Sequence, residues 1–254
     1  MWTRRNLILL LLLLAVLALS AVAKALMEPY KPDAAALEAM KGGEGVAVTE
    51  SKEWIIFEPG KGKKAEPDIL FYPGGLVRPE SYAPLALSLA KEGLRAWIVK
   101  MPLNLAIFGE DRASRVIETE PGRDFIIGGH SLGGVVAARY AVKHPEHLKG
   151  VYLLASYTDR KGNLRGLTLP VLSIVGTLDG VLNGNAFEQG KRFLPDKTEY
   201  AEITGGNHAQ FGSYGKQKND NPASIPSEKQ LSITVSLIVN WLERLEPPGG
   251  GSPK

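Results

Sequence analysis

The chain has 254 residues, 44% of them apolar, with three more Lys and Arg than Asp and Glu and no cysteine. That length suits one catalytic-size core, and the lack of cysteine excludes disulfides, thiolate metal sites, a cysteine nucleophile and a lipid-modified cysteine anchor. The excess charge lies wholly in Arg4, Arg5 and Lys24, so the rest of the chain is balanced and nothing points to a nucleic-acid partner.

The first predicted element follows the two arginines. Residues 7–23 are apolar except for Ser20, and at ~1.5 Å per residue they make roughly 25 Å of helix. With no polar face to meet water, and a run longer than the usual signal core of about 7–15 residues, residues 1–27 read as a hydrophobic signal-anchor. The arginines would hold its amino end in the cytoplasm, so the expectation is a single-pass cell-membrane protein with an extracytoplasmic catalytic domain. The triplets "AVA" and "AKA" keep open the alternative of cleavage and secretion.

Residues 28–45, with Pro29 and Pro32, read as a linker, residues 46–245 as one domain and the Pro/Gly-rich residues 246–254 as a disordered tail. Strands are predicted over 46–49 and 54–57, then a solvated turn carrying Lys61, Lys63 and Lys64. The apolar run "DILFY" follows and stops at Pro73-Gly74-Gly75. A helix over 81–92, a strand over 94–99 and a mainly helical stretch over 104–119 come next. The cycle then repeats with strand 124–127, helix 132–143, strands 151–154 and 171–175, a helix within 185–193, strand 199–203 and helix 227–245. Short strands apolar on both faces and separated by helices imply an α/β class, with a mostly parallel sheet covered by helices on both sides. Such sheets bind ligands at the carboxyl ends of their strands.

At one of those ends stands "GGHSLGG". Gly129-x-Ser131-x-Gly133 alone is a weak signal, arising by chance in roughly one chain in six of this composition. Its position between a buried-type strand and a helix is what a nucleophile elbow requires, because a sharp turn lifts the serine hydroxyl above the sheet edge. A serine needs a base, usually a histidine held by a carboxylate. Of the four histidines, His130 lies inside the elbow, while His144 and His147 fall at the far end of the following helix, where they suit its C-terminal dipole better than a metal. His208, in "GGNHAQFG" after the last predicted strand, remains. The acid is expected between serine and histidine at a strand end, and Asp179 in "SIVGTLDG" fits; Asp159 and Asp196 are the alternatives. The oxyanion donors are expected to be the N–H of Leu132 and, from the Pro-Gly-Gly loop, that of Gly75, with Leu76 next.

With these parts in order, the chain resembles the α/β-hydrolases over residues 46–245. The stretches "FYPGGLVRPESYAPLALSLA", "VKMPLNLAIFG", "GGHSLGGVVAARYA" and "GGNHAQFGSYG" are similar to small bacterial members related to dienelactone hydrolases and esterases. The resemblance implies Ser131 as nucleophile, His208 as base and Asp179 as acid, with neither metal nor cofactor. The loop reads Pro-Gly-Gly where many lipases have His-Gly-Gly-Gly, which touches the choice of oxyanion donor. Only 16 residues, 155–170, separate two predicted strands at the usual place of a lid. An open site is therefore expected, roofed at most by a mobile polar loop over 212–226, and suited to small or chain-end esters. The same groups would also serve acyl transfer, thioester or peptide cleavage, and a non-catalytic binding protein on this fold is the remaining alternative.

Overall fold

The computed structural model describes residues 4–26, 28–43, 45–60 and 65–245. Lys61, Lys63 and Lys64, and the tail 246–254, lie outside the described residues. The domain is built on an eight-stranded sheet in the order β1-β2-β4-β3-β5-β6-β7-β8. Strands β1 (Val46–Glu50) and β2 (Trp54–Pro59) form an antiparallel hairpin, and β2 pairs antiparallel with β4 (Leu94–Val99). From there β3 (Ala65–Tyr72), β5 (Phe125–His130), β6 (Leu148–Leu154), β7 (Val171–Gly176) and β8 (Glu199–Ile203) run parallel.

Strands β4 and β5 are wholly buried and β6 and β7 nearly so, which is why they read as apolar runs, whereas the edge strand β8 leaves Tyr200 and Glu202 exposed. Along β3, Ile69 and Phe71 face one core and Leu70 and Tyr72 the other, following the two-residue period of a strand. The first core is closed by α3 (Ala83–Lys91) and α7 (Ser227–Leu245), and the second by α4 (Arg112–Thr119) and α5 (Leu132–Lys143), while the short α6 (Gly184–Gly190) connects β7 to β8. From β3 the chain first adds β4 on one side and later returns to add β5 on the other. The connections therefore diverge above the carboxyl ends of β3 and β5, where parallel sheets open a ligand crevice. Tyr72 is paired with Gly129 across that junction.

Two features differ from what the sequence suggests locally, and a third, the short connection between β6 and β7, agrees with it. The stretch 104–119 is helical only from Arg112; before it come a turn at Pro102–Asn104, with left-handed backbone at Leu103 and Asn104, and a second turn at Ala106–Phe108 after the extended Leu105. The reason is tertiary, since the Asn104 carbonyl is drawn out of any helix to accept the N–H of Leu76 at 2.8 Å. Residues 28–43 are fastened to the domain: the Tyr30 N–H bonds to the Leu76 carbonyl at 2.7 Å, and Asp33 caps the short helix α2 (Ala34–Ala39) while accepting the Ser213 hydroxyl at 2.7 Å. Between β6 and β7 the chain forms only a single turn at Arg160–Gly162, with no lid.

The expected membrane anchor is corrected. Residues Arg4–Leu26 form helix α1, yet among the described residues no helix is long and apolar enough to cross a membrane. The run between Asn6 and Lys24, apolar but for Ser20, makes roughly 25 Å of helix, short of a hydrocarbon core about 30 Å thick. The single-pass placement and the membrane partner inferred from this segment are thereby withdrawn.

Candidate active site

Ser131 sits at the tip of the turn between β5 and α5 with φ 51° and ψ −122°, a backbone conformation that costs a non-glycine residue about 1–3 kcal/mol. Neighbours hold it there. Its N–H bonds to the Leu154 carbonyl at 2.9 Å, and its carbonyl accepts the N–H of Gly134 at 3.0 Å and the Ser156 hydroxyl at 2.7 Å. Both backbone polar groups are thus satisfied within the turn, leaving the hydroxyl as its projecting group. The flanking glycines are sterically required: a Cβ on Gly129 would stand 2.5 Å from the Tyr72 carbonyl oxygen, and one on Gly133 would strike the carbonyls of Tyr72 and Pro73.

Asp179 follows β7 in a turn closed by its own N–H to the Gly176 carbonyl at 3.1 Å. One carboxylate oxygen accepts the N–H groups of Val181 and Leu182, each at 2.8 Å, and the other lies 2.8 Å from His208 Nδ1. Both side chains are nearly inaccessible, at 4% for Asp179 and 1% for His208. An ionised carboxylate only accepts, so Nδ1 carries the ring proton and Nε2 keeps a lone pair. That Nε2 is buried and has no hydrogen-bond partner among the described residues. The Ser131 hydroxyl is therefore not bonded to it here, although the ring of the adjacent His130 lies with its centroid 4.5 Å from that of His208.

The other candidate acids are committed elsewhere. Asp159 pairs with Arg139 and caps the Arg160–Gly162 turn, and Asp196 pairs with Arg165 at the surface. His144 ends α5 beside Asp111 and Glu146, and among the described residues no group of three His, Cys, Asp or Glu is arranged to hold a metal. At the proposed oxyanion loop, Gly74 and Leu76 both have engaged N–H groups, to the Tyr82 hydroxyl at 2.9 Å and to the Asn104 carbonyl at 2.8 Å. The N–H groups of Gly75 and Leu132 have no acceptor among the described residues. These two residues adjoin, since a Cβ on Gly75 would lie 3.1 Å from Leu132 Cδ2.

Sequence reasoning missed the residues that brace this arrangement. Asp220, in the polar loop expected to be mobile, accepts the N–H of Gly180 at 3.0 Å and that of Ala209 at 2.8 Å, tying the Asp179 and His208 loops together. Gln230, fully buried on α7, bonds both backbone groups of Asn207. Nothing in "KQKNDNPAS" separates Asp220 from ordinary solvated residues; its role exists only once the strand ends meet.

His130 is buried beside Gly74 and the His208 ring, with Nδ1 2.8 Å from the Tyr82 hydroxyl. Burial, reinforced by the neighbouring His208, pushes its pKa well below the ordinary 6.5. The folded protein thus keeps His130 neutral while the unfolded chain takes up a proton below pH 6.5. Stability contributed by this group is complete above that pH and is lost as pH falls toward the lower folded value, at up to about 1.4 kcal/mol per pH unit. Urea unfolding at a series of pH values below about 6.5 should show this slope, and His130→Gln should flatten it.

Residues 68–232, more than half of the chain, match the alpha/beta hydrolase family. The chain belongs to that family. Its fold is similar to that of a candidate lipase from Acinetobacter baumannii, at a TM-score of 0.63 and 14% identity over 83% of this chain and 95% of that one. An esterase from Mycobacterium tuberculosis gives 0.58 at 12% identity, covering 83% and 97%. A dienelactone hydrolase from Anabaena variabilis gives 0.54 at 17% identity, covering 78% and 96%. A stretch of 33 residues is 58% identical to 1-acylglycerol-3-phosphate O-acyltransferase of Arabidopsis thaliana, covering 13% of this chain and 8% of that protein. At these identities the structural matches establish the alpha/beta hydrolase fold, and family membership supports a hydrolase.

Proposed function

We propose that this alpha/beta hydrolase is a serine esterase acting on small or chain-end carboxylic esters. The observation that carries the reading is the pairing of Asp179 with His208 Nδ1 at 2.8 Å, which leaves a basic Nε2 at the same sheet edge as the left-handed Ser131 turn. Ser131 Oγ attacks the ester carbonyl while His208 Nε2 takes its proton, and Asp179 stabilises the imidazolium that results. The carbonyl oxygen, now negative, receives the free N–H groups of Gly75 and Leu132 and the positive end of α5. Collapse expels the alcohol, protonated by His208, and leaves an ester on Ser131. Water, deprotonated by the same imidazole, then hydrolyses it to release the acid. The absence of a lid between β6 and β7 favours substrates that need no hydrophobic enclosure.

A fluorophosphonate probe tests the nucleophile directly. Covalent labelling is expected, with the modified peptide containing Ser131; attachment to any other residue, or labelling undiminished in Ser131→Ala, would sink the assignment. Adding alcohol acceptors to the turnover assay distinguishes water from an alcohol as the group that releases the acyl chain.

A further inference from the structure

The loop carrying Gly75 is held from both sides, and one of the two clamps is a buried hydroxyl with a second partner. Tyr82, 1% exposed, stands at the end of the turn Pro79–Tyr82 that leads into α3. Its oxygen accepts the Gly74 N–H at 2.9 Å and lies 2.8 Å from His130 Nδ1. A hydroxyl has one proton to give. The oxygen and His130 Nδ1 share one hydrogen bond, and with either imidazole tautomer the oxygen keeps a lone pair for the Gly74 N–H. One oxygen therefore joins the loop after β3 to the residue immediately before Ser131.

The fit leaves no slack. A Cβ on Gly74 would stand 2.8 Å from both His130 Nδ1 and the Tyr82 hydroxyl, so glycine is required for the bridge to form. The Tyr82 ring packs on Phe71 at a centroid distance of 4.6 Å, and the His130 ring packs between it and His208. On the other side of Gly75, Asn104 takes the Leu76 N–H. With both flanking N–H groups bound, only the central one is free to meet a ligand.

We propose that Tyr82 is a positioning residue of the oxyanion site. Its hydroxyl engages the Gly74 N–H and so fixes the Pro73–Gly74 peptide plane, while Asn104 fixes the Gly75–Leu76 plane; held between them, the Gly74–Gly75 peptide presents its N–H beside that of Leu132. Through His130 it couples this peptide to the position of the Ser131 turn. The inference rests on the serine-esterase reading above.

The experiment is Tyr82→Phe in the full-length protein, which retains the packed ring and removes only the hydroxyl. A misplaced donor weakens interactions that strengthen as the oxyanion forms. Turnover of p-nitrophenyl acetate should therefore fall about 10- to 100-fold in kcat with KM changed less than about twofold. The affinity for an alkyl trifluoromethyl ketone, which forms a tetrahedral oxyanion adduct on serine, should fall by the same factor as kcat/KM. A purely structural role predicts instead that KM and inhibitor affinity worsen together with a lowered melting temperature, and that result overturns the proposal. So does a variant with wild-type kcat and ketone affinity. If wild-type protein neither turns over esters nor takes up the fluorophosphonate, the esterase reading itself fails and this one with it; wild-type activity with an unaffected Tyr82→Phe removes the Tyr82 role alone.

Discussion

Ser131→Ala is expected to lower kcat on an activated ester by about 10⁴- to 10⁶-fold. In the proposed mechanism, loss of the oxygen removes the nucleophile that His208 would activate, so the remaining rate would reflect binding and oxyanion stabilisation of attack by water. The fold should be unaffected, because the hydroxyl makes no bond to His208 and the turn is held through the Ser131 backbone, whose N–H bonds to the Leu154 carbonyl and whose carbonyl accepts the Gly134 N–H and the Ser156 hydroxyl. Ser131→Gly sharpens the test. At φ 51° any Cβ is strained and glycine is not, so this variant should be as inactive as alanine yet melt a few degrees higher. Retention of more than a tenth of wild-type kcat by either variant rules out Ser131 as the attacking group.

At the opposite end of the sheet, Asp68→Ala should cost about 3–5 kcal/mol of stability. Asp68 is fully buried near the start of the β3 core. Its Oδ2 accepts Arg95 Nε at 2.6 Å and the Trp97 indole N–H at 3.0 Å, and its Oδ1 accepts Arg123 Nη2 at 2.7 Å. Removing the carboxylate strands the guanidinium of Arg95, whose side chain is 8% exposed, with Glu120 and a distant Glu58 as its acidic partners. Buried donors left without their acceptor, Arg95 Nε and the Trp97 indole N–H, are the costly outcome. For a domain of this size the melting temperature should drop by roughly 10 °C, measurable by calorimetry. Because Asp68 lies four residues, roughly 13 Å, along β3 from Tyr72 at the site end of the strand, kcat of the folded fraction at 25 °C should stay within about twofold; a melting temperature within about 2 °C of wild type would refute the assigned burden.

The alternation of strand and helix was legible from residue 46 to residue 245 because each buried strand is a short apolar run and each helix has its own apolar stripe. Strands β4 and β8 and helices α5 and α7 begin and end where local pattern places them. The stretch 104–119 was read less well, since a hydrogen bond from the Leu76 N–H, distant in sequence, outweighs its local helical spacing. At the candidate site the elbow was readable because glycine is demanded there by sterics that any strand-to-helix turn of this shape imposes. Tyr82, Asp220 and Gln230 were not, for each is an ordinary polar residue in its own neighbourhood.

The sequence by itself determined the α/β class, the Gly-His-Ser-Leu-Gly turn and the reduction of four histidines to one at a strand's carboxyl end. Local chemistry suffices for these, because periodicity, turn residues and steric exclusion act over a few neighbouring positions. Only the tertiary structure decided that Asp179, and neither Asp159 nor Asp196, meets His208, that Gly75 keeps its N–H free while Gly74 and Leu76 do not, and that the loop around Asp220 is tied down. Hydrogen bonding acts within about 3 Å, and which groups separated by tens of residues come that close depends on how the strands are ordered in the sheet.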